Sequence, residues 1–155
     1  CEKWENIMKK LIFILSFSLS AKEITLNDVY TQAVLIQDHI HFLLKHYGIK
    51  HHYNVIMRED LVRTKLQPRD SWQKAYEILV KINMLRKSNN LPRIEPVGME
   101  PVEKLNPDMV YGMTQRVLTE IRIFEVRKGI KIPNFKLKSF TNKTPLDVYN
   151  TLGHI

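Results

Sequence analysis

Cysteine is almost missing from this chain: the only one is Cys1, so no internal disulfide and no pair of thiolate ligands can form. Glycine is scarce, with five in 155 residues, and none sits in a Gly-x-Ser-x-Gly elbow or a phosphate-cradling loop. No apolar run approaches the roughly 20 residues that a membrane-spanning helix needs. Lysine and arginine are plentiful, giving a net charge of +8, yet they are dispersed and form no basic arm, so nucleic acid is not an expected partner. Glu-x-x-His pairs are absent, which removes the di-iron bundle pattern. No nucleophile stands beside a base at a recognisable spacing, and the chain reads as a non-enzyme that calls for no cofactor.

What is present begins with a secretory pattern. Met8-Lys9-Lys10 supplies a positive start, Leu11–Leu19 an apolar stretch, and Ser18-Leu19-Ser20 small residues where a signal peptidase reads. Residues 1–20 are therefore expected to be an upstream extension plus signal peptide, with cleavage after Ser20 or Ala21. Cys1 precedes the apolar stretch, whereas a lipidated cysteine follows it. Removing residues 1–20 takes away three lysines and two glutamates and leaves a cysteine-free chain of net charge +7. This chain, residues 21–155, is expected to be a single helical domain, periplasmic or secreted, with no transmembrane segment of its own.

An internal repeat then sets the architecture. Aligning Tyr30, Trp72, Tyr111 and Tyr149 brings Thr25, Gln67, Asn106 and Thr144 into register, with Leu26, Pro68, Pro107 and Pro145 following them. The spacing is about 40 residues. Each phrase is a helix start: a capping side chain, a residue at the first helical position where proline costs nothing, and an aspartate (Asp28, Asp70, Asp108, Asp147) facing the positive end of the helix dipole. Gln67 is the poorest cap of the four.

Behind each start, apolar residues recur in steps of three and four. The stripes are Val29, Ala33, Ile36, Ile40, Leu43 and Tyr47, then Trp72, Ala75, Ile78, Ile82 and Leu85, then Val110, Thr114, Val117, Ile121 and Phe124. Glu77, Lys81, Arg116, Glu120 and Arg127 are expected outside these stripes, and the repeat's aromatic residues are expected to form a thick layer. Gly48 and Gly129 mark helix ends, and Asn89-Asn90 does the same job less well. The connecting segments Lys50–Leu66, Leu91–Leu105 and Lys131–Lys143 are long and carry apolar residues, so they should pack on the helices. Their length leaves helix direction open. Thr144–Tyr149 starts a helix that stops at Ile155, and the natural chain is expected to run on. The expected fold is thus all-α, a helical bundle of about four amphipathic helices built from repeats of about 40 residues, with long packed loops.

Histidine forms the one cluster with possible chemistry. His39, His46, His51 and His52 are the candidate metal ligands: His39 and His46 share a helix face, and the following pair can fold over them. The expected function is an exported scaffold or interaction module that meets an envelope protein through the loop from Glu95 to Glu103 or the basic loop around Phe135. The alternative is a sensor-type bundle that binds a small-molecule ligand or a metal, with Trp72, Tyr76, Met84, Met109, Tyr111, Met113 and Phe124 as possible lining for an apolar ligand.

Overall fold

The computed structural model describes residues 22–50, 65–95 and 104–155; residues 1–20, His51, His52 and most of the Glu95–Glu103 loop lie outside these. Among the described residues there are four helices and no strand: α1 (Leu26–His46), α2 (Pro68–Ser88), α3 (Pro107–Arg127) and α4 (Pro145–Gly153). None of them is long and apolar enough to cross a membrane.

Each helix starts where its cap dictates. Thr25 and Thr144 close capping boxes: the Thr25 N–H donates to Asp28 Oδ2 at 2.9 Å and the Thr144 N–H to Asp147 Oδ2 at 2.8 Å. Asn106 accepts the Met109 N–H through Oδ1 at 3.0 Å. At the second start the Gln67 N–H donates to Asp70 Oδ2 at 2.7 Å, so α2 still begins at Pro68. The first three helices end alike. Gly48, Asn90 and Gly129 take positive φ angles of 67°, 55° and 64°, and the next N–H turns back onto the helix: Ile49 to Leu44, Leu91 to Arg86, Ile130 to Glu125. This is the Schellman arrangement, with an apolar residue after the turn.

Helix direction follows from which residues meet. Leu26, Pro68, Pro107 and Pro145, the first residue of every helix, line one small apolar cavity of about 30 Å³ together with Val29, Ser71, Val110 and Val148. All four helices therefore start at the same end. Further along, α1 meets α3 through Gln32 and Thr114 and then His39 and Glu125, so the two run the same way, as do α2 and α3. α1 and α2 each touch both α3 and α4 but not each other, so the helices form a ring in the order α1, α3, α2, α4.

Aligned N-termini bring four positive dipole ends together, an arrangement that repels. An aspartate in the first turn of every helix offsets it, as do Lys45, Arg86, Lys87 and Arg127 in the last turns. Parallel neighbours also need long return segments. The one from α3 to α4 runs back down α1: Phe135 packs on His39 and Phe42, the Lys138 carbonyl accepts from the Thr31 hydroxyl, Phe140 meets Tyr30 edge-on, and the Lys143 N–H donates to Asn27 Oδ1. The segment after α2 starts its return in the same manner, with Asn83 bonding both the N–H and the carbonyl of Ile94.

The core lies on the ring axis. Val29, Val110 and Val148 form its first level, and Ala33, Ala75 and Thr114 with Leu152 the next, all buried. Three of the four residues at this register are small and the fourth is the larger leucine, a combination that keeps the level filled. The aromatic layer expected from the repeat is displaced from this axis: Trp72 is buried and stacks on Tyr76, whereas Tyr30, Tyr111 and Tyr149 are half-buried at the flanks. Their position lies one residue past the axial one, about 100° around the helix.

Candidate functional site

Six polar residues inside the bundle pair across helix contacts. His39 Nδ1 stands 2.9 Å and 3.0 Å from the two carboxylate oxygens of Glu125, with the Phe135 ring 4.7 Å from the imidazole. Arg86 donates through Nη1 to Glu120 Oε2 at 2.7 Å and through Nε to the Pro92 carbonyl at 2.7 Å. The Thr114 hydroxyl lies 2.7 Å from Gln32 Oε1. A buried charge without such partners would cost several kcal/mol, on the order of 3–5. Glu120 therefore departs from the expectation: its side chain is only 16 % exposed because the interhelix contact with Arg86 draws it in. Arg116 is likewise half-buried, with Nη2 donating to the Glu95 carbonyl at 3.2 Å.

Of the candidate metal ligands, His39 is buried and held by Glu125, while His46 is exposed and packs between the rings of Phe42 and Tyr47. His51 and His52 lie outside the described residues. Among the described residues no three His, Cys, Asp or Glu side chains come together as a metal site. Glu125 is the buried acid that sequence reasoning did not single out. Its signal was its position, directly after Phe124 and beside the apolar stripe, where a charged residue needs a partner on the next helix.

The residues considered for an apolar ligand are not gathered around one space. Phe124 and Met113 are packed in the core, Trp72 stacks on Tyr76, and Met84 is 68 % exposed. A wider open groove of about 590 Å³ lies beside the starts of α2 and α3, with Lys65, Arg69 and Lys104 on its walls.

At the helix starts, electrostatics favour ionised caps. Asp28 is held down to about 2, first by the hydrogen bond from Lys22 at 2.7 Å and then by the hydroxyl and N–H of Thr25. Asp147 is lowered by the N–H and hydroxyl of Thr144. These are structural carboxylates, already saturated by donors.

The loop around Phe135 is ordered against α1, with its aromatic side inward. Lys136 and Leu137 face out, Leu137 being 72 % exposed, while Lys138, also exposed, reaches back with Nζ 3.9 Å from Asp38 Oδ2 of α1. The result is a fixed basic ridge with one apolar side chain on it. No protein-family model, curated protein or solved structure significantly matches this chain.

Proposed function

We propose that this chain is an exported, non-enzymatic interaction or scaffold module of the bacterial envelope, built from internal helical repeats of about 40 residues. The repeat reading is supported by the equivalent caps, the equivalent ends and the convergence of all four first helical residues on one cavity. The observation that carries the interaction reading is the segment 128–143. Phe135, Phe140 and the Lys138–Asp38 pair hold it on α1, and it presents Lys136 and Leu137 outward. A surface fixed before binding loses little conformational entropy when a partner meets it, which favours protein recognition. The paired polar groups His39–Glu125, Arg86–Glu120 and Gln32–Thr114, by contrast, are committed to each other across helix contacts and serve the bundle.

The test is expression of the whole chain in a bacterium with a photo-crosslinking amino acid at position 137. The expected result is a periplasmic protein, cleaved after Ser20 or Ala21, that gives a discrete adduct with an envelope protein on illumination. A protein that stays in the cytoplasm with residues 8–20 attached would overturn the reading. Native mass spectrometry of the folded protein distinguishes the sensor alternative, which would retain extra mass that denaturation removes.

A further inference from the structure

Three helices of 21 residues that start at one end of the bundle also finish level with one another at the other end. The sequence spreads its lysines along the chain, but this parallel arrangement gathers those of the last turns. Lys45, Lys87, Arg127 and Lys128 close the three helices, and Lys50 and Lys131 stand just past Gly48 and Gly129 in equivalent turns. All six are exposed, and none makes an ion pair among the described residues.

Carboxylates are missing from the same end. Residues 39–50, 79–94 and 126–143 contain no Asp or Glu, and Glu120 and Glu125 of α3 are held by Arg86 and His39. Helix dipoles account for only part of the charge: three C-termini together present about −1.5 elementary charges, against six cations. At the opposite end every helix carries an aspartate in its first turn, so Lys65 and Lys104 share that end with carboxylates. Apolar side chains stand out beside the cations: Tyr47 is 41 %, Ile49 55 % and Val126 71 % exposed.

We propose that this end of the bundle docks on a membrane surface rich in anionic lipid, with the three helix axes near the membrane normal. The lysines reach the headgroups, and Tyr47, Ile49 and Val126 sit at the interface. Composition favours lipid over a protein partner. Five of the six cations are lysines, compact charges on flexible stems that suit a diffuse anionic surface, whereas protein interfaces are enriched in arginine and depleted in lysine. Aromatic and aliphatic side chains beside lysine are the pattern of interfacial binding. Attraction to an anionic leaflet falls off within a Debye length, so the local charge of this end decides it and the overall +8 does not. Leu137 lies further back along α1, between the levels of His39 and Thr31, and stays clear of the lipid. The proposal goes beyond the interaction-module reading and does not depend on it.

The probe is a vesicle of equal parts phosphatidylglycerol and phosphatidylcholine, compared with phosphatidylcholine alone, and binding of the whole chain is followed by cosedimentation. Binding at least about tenfold tighter to the anionic vesicles is expected, weakening as salt is raised. Each lysine near an anionic surface contributes about fivefold in affinity. Lys128→Gln together with Lys131→Gln should therefore lower affinity about twentyfold. Lys65→Gln together with Lys104→Gln removes the same charge from the other end and should change it less than about twofold. Equal losses in the two double variants would mean that net charge alone draws the chain to lipid and would overturn the proposal. So would equal binding to both vesicle types, which assigns the attraction to apolar surface. Binding to polyglutamate with none to the anionic vesicles would assign the end to an acidic protein and overturn it as well. Each of these failures leaves the crosslink at position 137 unaffected, so this proposal and the interaction-module reading fail separately.

Discussion

His39 and Glu125, 86 residues apart in sequence, meet with the imidazole Nδ1 within 3.0 Å of both carboxylate oxygens, their side chains 3 % and 0 % exposed. The contact ties α1 to α3 and lies under Phe135, so it also joins the bundle to the segment that returns along α1.

Removing one partner strands the other in a low-dielectric place. Glu125→Leu is expected to destabilise the fold by about 2–4 kcal/mol, because the His39 N–H loses its acceptor. The double variant His39→Leu, Glu125→Leu should recover most of that loss, since neither side chain is then left unpaired. Urea midpoints of the two single variants and the double decide it; additive losses would show that the contact is not a coupled pair.

Acid should loosen the first helix start through a named group. Asp28 is held at about 2 in the folded chain, below its ordinary value of 3.8. A depressed carboxylate contributes stability above its unfolded value and loses it as pH falls through the folded one. The contribution is thus complete above about pH 4 and disappears between about pH 4 and 2. Asp28→Asn should be less stable at neutral pH and show a flatter stability profile in that window, measured by thermal melts. A profile parallel to that of the unmodified chain would remove Asp28 from the account.

Leu152, the eighth residue of α4, is buried in the same core as Ala33, Ala75 and Thr114, the eighth residues of the other three helices. Leu152→Ala should cost about 2–5 kcal/mol, the range for opening a cavity in a packed core. Chemical denaturation measures it, and a loss below about 1 kcal/mol would mean that the short helix α4 contributes little to the core.

Phe135 anchors the return segment more than it stabilises the bundle. Phe135→Ala should leave the helical circular dichroism unchanged while trypsin cuts at Lys136 and Lys138 sooner than in the unmodified chain. Unaltered cleavage would indicate that Phe140 and the Asn27 contact hold the segment without it.

Much of the local structure was legible. Thr25, Asn106 and Thr144 with their aspartates, and the prolines after Gln67, Asn106 and Thr144, mark starts that the helices obey, since a cap acts within one turn. Gly48, Gly129 and the pair Asn89-Asn90, of which Asn90 takes the positive φ, were legible as ends for the same reason: few residues take a positive φ readily. The candidate site was less so. His39 was visible as a histidine on a helix, but its partner lies 86 residues away, and no spacing rule reaches that far. Glu120 and Arg86 were hidden likewise, because a charge at the edge of an apolar stripe can face water or a neighbour, and only the neighbour decides.

Helix direction was the larger unknown. Short loops force consecutive helices to run antiparallel; segments as long as Lys50–Leu66 or Lys131–Lys143 permit either sense. The amino-acid sequence by itself determined where the helices begin and end and which residues form their apolar stripes, because caps, prolines and periodicity act over a few residues. Tertiary structure alone decided that the four starts converge, that α1 and α2 sit across the ring from each other, and that Tyr30, Tyr111 and Tyr149 lie at the flanks. Those outcomes depend on how stripes from distant segments interlock around one axis, which local chemistry does not encode.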